Sequence, residues 1–172
     1  MVKLLLGEGV CSDLADTGGR TPLSFAAEQG AQSVVKLLLK RGDVGPDSSD
    51  NDGRTPLLFA VEGGAQAVAK LLLRRGDIEH DLAGNDGRAP LSYAAEEGAW
   101  SIISRLFELG DIDTNSSDSN GRTPLSYAVV AEGEQEGTVK LFLERADIEP
   151  DSPDKDGRTP HHMLSKRGQR VQ

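Results

Sequence analysis

The sequence predicts an all-α fold, a solenoid of stacked helix-turn-helix units joined by β-turn fingers. The first reason is repetition. The string Gly53-Arg54-Thr55-Pro56-Leu57 has near copies beginning at Gly19, Gly87, Gly121 and Gly157, so its arginines stand at 20, 54, 88, 122 and 158, spaced by 34, 34, 34 and 36 residues. A fixed period of that size marks an array of supersecondary units. The second reason is that each of the first four copies opens two short apolar runs separated by glycine, each too short to be stable alone. The third is the stretch that closes each unit, rich in Asp, Ser, Gly and Pro, which is the chemistry of turns.

Residues 1–10 repeat the pattern of residues 35–44, so the chain opens in mid-unit and leads to the expectation of a piece of a longer array, or of an unusual terminal cap. The first full unit spans residues 21–54. Thr21 supplies an N-cap hydroxyl and Pro22 suits the first helical position, so a helix starts there and Gly30 ends it. A second helix is predicted over residues 32–40, with Val34, Val35, Leu38 and Leu39 as its buried stripe, Lys40 and Arg41 in its last turn, and Gly42 as its stop. Residues 43–53 then form an exposed hairpin-like finger.

The second unit, 55–88, repeats this with Phe59, Ala60, Val68, Leu72 and Leu73 in its core. The third, 89–122, departs twice: Ala89 replaces the capping threonine, at a cost of about 1 kcal/mol, and Trp100 stands where earlier units have Gln32 and Gln66. The fourth, 123–158, carries two extra residues between its helices, which lengthen a surface loop. A last partial unit, 159–172, contributes one helix start. With the partial unit 1–20, these make one array over 1–172.

Composition narrows function. The formal charge is −9 and the pI about 4.8, a field that repels nucleic-acid phosphates and anionic lipid head groups, so neither nucleic acid nor membrane is expected as a partner. The single cysteine, Cys11, excludes an intramolecular disulfide and a multi-cysteine zinc site and fits an intracellular compartment, cytoplasmic or nuclear. No run approaches the roughly 20 apolar residues of a membrane span.

The pattern G-R-T-P-L-S-x-A-A-E-x-G followed by V-V-K-L-L-L-x-R-G-D-V resembles the ankyrin repeat over almost the whole chain. With serine after Thr-Pro-Leu and acidic Asp-Ser fingers it is similar to arrays of filamentous fungi. The resemblance implies two antiparallel helices and a β-turn finger per unit, stacked as a curved solenoid. The family's usual histidine is absent at Ser24, Leu58, Ser92 and Ser126, so the hydrogen bonds it makes with the threonine must be partial or different. His162 takes that place in the last unit, and His161 replaces a core leucine.

No constellation for chemistry emerges. Residues 50–53 and 154–157 mimic the centre of a calcium-binding loop, yet position one of that loop would be Ser48 or Ser152 and its bidentate glutamate Phe59 or Met163, so these stretches read as solvated turns. Cys11 and His80 lie in fingers far from His161 and His162, and no nucleotide, hydrolase or metalloprotease motif is present, so neither an enzyme, a cofactor nor a metal site is expected.

Charge is more informative. Glu28, Glu62, Glu96, Glu97, Glu132, Glu134 and Glu136 fall at first-helix ends, where they oppose the helix dipole, whereas Lys36, Lys40, Arg41, Lys70, Arg74, Arg75, Lys140 and Arg145 fall on second helices. The acidic line reads either as a solvated edge or as a site for a basic partner. Arg20, Arg54, Arg88, Arg122 and Arg158 are expected to pair with finger aspartates such as Asp52, Asp86 and Asp156, and Trp100 either fills core or anchors a partner. The resemblance implies that a protein partner docks on a concave surface of finger tips and first-helix ends. Carried over by position, that surface comprises Glu28, Gln29, Asn51, Asp52, Arg54, Glu62, Asn85, Asp86, Arg88, Glu96, Glu97, Asn120 and Arg122; Trp100 joins it as a candidate aromatic anchor. The function expected is a protein-interaction scaffold with an acidic binding surface; the alternative is a structural spacer or regulatory array in a multidomain signalling protein.

Overall fold

Five helix starts are set by the same local chemistry. In the computed structural model, which describes residues 13–131 and 136–168, α1 (Pro22–Glu28), α3 (Pro56–Glu62), α5 (Pro90–Glu96), α7 (Pro124–Val130) and α9 (Pro160–Gly168) each begin on a proline. Its missing N–H would be unsatisfied there in any case. The residue before it is extended, as at Thr21 (φ −86°, ψ 160°), and the Thr21, Thr55 and Thr123 hydroxyls each accept the N–H three residues on, at 3.3 Å. Between these helices lie α2 (Gln32–Leu38), α4 (Gln66–Leu72), α6 (Trp100–Leu109) and α8 (Glu136–Leu143). The described residues contain helices and turns and no strand.

The serines in the place of the family histidine close the cap differently. Ser24 Oγ receives the Thr21 N–H at 2.9 Å and lies 3.2 Å from Thr21 Oγ1, which completes a reciprocal capping box. At the other end of α1, Gly30 is left-handed (φ 64°), its N–H donates to Ala27 O at 3.1 Å, and the Ala31 N–H donates to Ala26 O at 2.9 Å. That pair of bonds satisfies two of the helix's orphan carbonyls.

Two helix-end expectations fail. The second helix of the first unit stops at Leu38 rather than reaching Lys40. Gly42 is not among the positive-φ glycines, and Lys40 and Arg41 lie beyond the last helical turn. The residues after Leu38 already fold as a turn, with the Arg41 N–H donating to Leu38 O at 2.9 Å, so the helix is over before the glycine arrives. The stripe is also narrower than expected. Val35 and Leu38 are buried, but Val34 and Leu39 are half-buried, whereas their counterparts Val68 and Leu73 are fully enclosed.

The chain resolves into two compact units, Met1–Asn85 and Asp86–Gln172. In the first, α1 packs along α3, with α2 and α4 behind their own first helices. Leu23, Leu57, Leu58, Phe59, Val68, Leu72 and Leu73 form its core. In the second, α7 packs between α5 and α9, and α6 and α8 lie against α5 and α7. Leu91, Ile102, Ile103, Leu106, Leu125 and Phe142 are fully buried there, with Tyr93 and Tyr127 also buried, and the Phe107 and Phe142 rings meet edge to face at 5.3 Å. His161 is exposed where Leu23, Leu57, Leu91 and Leu125 are buried, so the last first-helix contributes less to the core than the others.

No helix among the described residues is long and apolar enough to cross a membrane. The helical expectation for residues 1–10, Cys11, and Glu132 and Glu134 of the acidic line lie outside the described residues. Glu136 is not at a first-helix end: it occupies the first turn of α8, where its charge favours the helix dipole.

Candidate functional site

The fingers are built around a carboxylate that the sequence reading had left in solvent. Asp50 is buried, and its Oδ1 accepts the backbone N–H of Asp52 at 3.0 Å and of Arg54 at 2.8 Å, while Oδ2 takes Arg54 Nε at 3.1 Å. Asp118 and Asp154 do the same with the N–H groups of Asn120 and Arg122 and of Asp156 and Arg158. The Asp50 N–H donates to Arg54 O and the Gly53 N–H to Asp50 O, with Gly53 left-handed at φ 76°. This is a tight reversal closed by a bulge glycine. These aspartates are therefore internal braces of the turn rather than solvated ligands. Among the described residues no group of three His, Cys, Asp or Glu is arranged to hold a metal ion.

Each finger is also tied to its predecessor. The Asn51 N–H donates to Gly18 O at 2.9 Å and the Asn85 N–H to Asp52 O at 2.8 Å in the first unit. In the second unit the Ser119 N–H donates to Asp86 O at 2.7 Å and the Lys155 N–H to Asn120 O at 2.9 Å. Asn51 Nδ2 and Asn85 Nδ2 add bonds to Thr17 O and Asn51 O. Asn51 and Asn85, placed on the docking surface by position, are exposed but already engaged in holding the fingers together.

The arginine of each GRTPL copy is shared between finger and helix. Arg54 reaches Asp50 at 3.0 Å and Asp52 at 3.3 Å, and Arg158 meets both Asp154 and Asp156, so the expected pairs with Asp52 and Asp156 exist, whereas the Arg88 guanidinium pairs with Glu96 rather than Asp86. Asp86 takes the Arg88 backbone N–H at 3.0 Å. Gly84 stands where other fingers carry the buried aspartate, and Arg88 Nε is left buried without a hydrogen-bond partner.

What the sequence reading missed is the aromatic five residues after Arg20, Arg54, Arg88 and Arg122; Met163 takes that place after Arg158. The Arg20 guanidinium lies 4.0 Å from the Phe25 ring centre and 4.2 Å from that of Phe59, and Arg54 covers Phe59 at 4.7 Å. In the second unit Arg88 lies 3.9 Å from both Tyr93 and Tyr127, with Arg122 over Tyr127 at 4.7 Å. A guanidinium stacked on an aromatic face and stripped of water contributes roughly 0.5 to 2 kcal/mol. The Tyr127 hydroxyl donates to Asp118 Oδ2 at 2.7 Å. Burial and that bond push the phenol far above its ordinary value.

The acidic line is likewise partnered, against the expectation that it opposes stability. Glu28 lies 2.7 Å from Arg20, Glu62 3.8 Å from Arg54, and Glu96 is bonded to Arg88. The Arg20 guanidinium holds the Glu28 carboxyl below its usual range. The loss at each helix end is offset by an ion pair of similar size. Several second-helix bases are used locally too: Arg41, Arg75 and Arg145 bond to Asp43, Asp77 and Asp147.

Three candidate positions stand apart. Glu97 is exposed and enters no ion pair among the described residues, and Gln29 and Asn120 are exposed at a helix end and a finger tip. Trp100 is 56% exposed at the start of α6, so it does not fill core. In the first unit the structure thus brings together Glu28 with Arg20, and Asp52 and Glu62 with Arg54. In the second it brings together Glu96 with Arg88, and it places Glu97 at the cap of α5 and Trp100 at the first residue of α6, across a short link.

A comparison with curated proteins found no match. A family profile described as ankyrin repeats (3 copies) matches residues 1–83 and again residues 75–154. These matches together take in the three thirty-four-residue units and the longer fourth one as far as residue 154, with the paired helices, capping threonines and bulge-glycine fingers described above. The chain belongs to the ankyrin repeat family.

Proposed function

We propose that this chain is a protein-interaction scaffold that docks a partner with a basic surface on its finger tips and first-helix ends. Ankyrin repeats are in general protein–protein interaction modules and typically non-enzymatic. The observation that carries the finer reading is Glu97 close in sequence to Trp100: among the described residues, an exposed carboxylate in no ion pair near an exposed indole, whereas Glu28, Glu62 and Glu96 are paired. Exposed aromatic anchors dominate interface energetics. Within the same unit as Glu97 and Trp100, Asn120 and the finger edges of Asp86 and Arg122 supply the polar rim.

The test is capture from a cognate lysate with the wild-type chain and with Glu97→Lys. Glu97 is the cleaner reversal, because a lysine at Glu96 would face Arg88 and disturb the fold. Loss of a captured protein on reversal is expected. An unchanged set of captured proteins overturns the acidic-surface proposal.

A spacer role is favoured by a different observation, the internal pairing of Glu28, Glu62 and Glu96, which leaves less free charge than the sequence suggests. It predicts that surface charges are interchangeable while deletion of one 34-residue repeat alters behaviour in a longer parent protein.

A further inference from the structure

The chain already shows how it seats a guanidinium. At the C-terminal end of α1, Arg20 lies against Phe25 and Phe59 while Glu28 accepts its Nη2 at 2.7 Å. At the end of α5, Arg88 lies between Tyr93 and Tyr127 and bonds to Glu96. Each seat has two components, an aromatic face and a helix-end carboxylate. The planar, weakly hydrated guanidinium suits both at once, whereas an ammonium suits neither as well.

Among the described residues, one more such pair of components carries no ion pair and no stacked guanidinium. Glu97 caps α5, Gly98 reverses the chain at φ 60°, and Trp100 opens α6. The Gly98 N–H donates to Ala95 O, the Ala99 N–H to Ala94 O at 2.8 Å and the Trp100 N–H to Gly98 O at 2.7 Å, so the link is compact and fixed. Three residues of chain keep the two Cα atoms within about 11 Å. The surroundings favour a cation: residues 86–172 carry 16 acidic against 10 basic residues, a net −6 of the whole chain's −9.

We propose that Glu97 and Trp100 form a receptor for an arginine side chain of the partner protein, stacked on the indole and bonded to the carboxylate. This rests on the interaction reading above and names its chemistry.

Trp100 is the only tryptophan, so its emission reports the site directly. The probe is a capped hexa-arginine peptide, with capped hexa-lysine as control, titrated into the full chain at low salt. The proposal expects a saturable change in emission with hexa-arginine, at least several-fold weaker binding of hexa-lysine, and about a tenfold loss of hexa-arginine affinity in Glu97→Gln. Far-UV circular dichroism of Glu97→Gln and Trp100→Ala checks that both variants are folded. Unchanged emission, equal binding of both peptides, or undiminished binding to Glu97→Gln overturns the proposal. So does a dimer in sedimentation that Trp100→Ala abolishes, since a second copy would then be the occupant. A lysate partner lost with Glu97→Lys but retained with Trp100→Ala would keep the scaffold reading and reject the arginine receptor.

Discussion

Ala89 and Ser92 show what one missing hydroxyl does to a helix start. The backbone at Ala89 (φ −85°, ψ 162°) matches that of the capping threonines, yet no side chain bonds the first turn of α5, and Ser92 Oγ is buried without a partner. Ala89→Thr should therefore raise stability by about 1 kcal/mol in urea denaturation; no gain would show that the helix start is satisfied by other means. The buried carboxylates give a prediction in pH. Burial works to raise the Asp118 pKa, but the N–H groups of Arg122 and Asn120, the Tyr127 phenol and the Arg122 guanidinium outweigh it and hold it below 3.8. Its stabilising contribution is thus complete above the unfolded-state value and is lost as pH falls through the lower folded value. Asp47 has the opposite sign: burial leads, the Glu79 and Asp77 carboxylates add to it, and its pKa rises. Above that raised value the charge works against folding. Asp118→Asn should lower the melting temperature at pH 7, while Asp47→Asn, which keeps an acceptor for the Glu79 N–H, should hold or raise it. Both variants shifting the same way would refute the assignment.

The fingers and helix ends separate what sequence can say from what it cannot. Thr-Pro starts and the Gly30 stop were legible because they are decided within five or six residues, and so were the core positions of the second repeat. Gly42 was misread because composition marks a turn but not its dihedral angles. The Asp50 brace and the Arg20–Phe59 stack were invisible for a different reason: one depends on how the turn closes on its own amides, the other joins residues 39 apart through packing of successive repeats. Trp100 could be core or surface until the rotation of α6 was known. The two glycines make a paired test. A Cβ at Gly53 would meet Asn85 Oδ1 at 2.7 Å and its N at 3.0 Å on a left-handed backbone, whereas one at Gly42 meets nothing within 4 Å. Gly53→Ala should cost at least about 1–2 kcal/mol, and Gly42→Ala should be neutral or stabilising by up to about 1 kcal/mol. Equal effects in denaturant titrations would mean that the finger stack contributes little.

Taken entire, the protein is strongly acidic, and its charge and its fold respond to acid in different ranges. Solubility should be lowest near the pI of about 4.8, where mutual repulsion vanishes. The braces Asp118 and Asp154, held below 3.8, stay ionised there, so the precipitate should be native and redissolve at pH 7 with unchanged circular dichroism. Irreversible loss of helical signal at pH 4.8 would contradict this. The finger ties carry a further implication, for how such a surface changes over generations. Asn51, Asn85, Ser119 and Lys155 occupy one equivalent position and make the same bond, and in each the donor is the main-chain N–H. An amide, a hydroxyl and an ammonium side chain are thus interchangeable there with alignment preserved. The shared main-chain bond does not depend on tip identity, and the side-chain bonds of Asn51 and Asn85 add to it, so mutation can explore new tip chemistry at these positions while the main-chain tie beneath them persists.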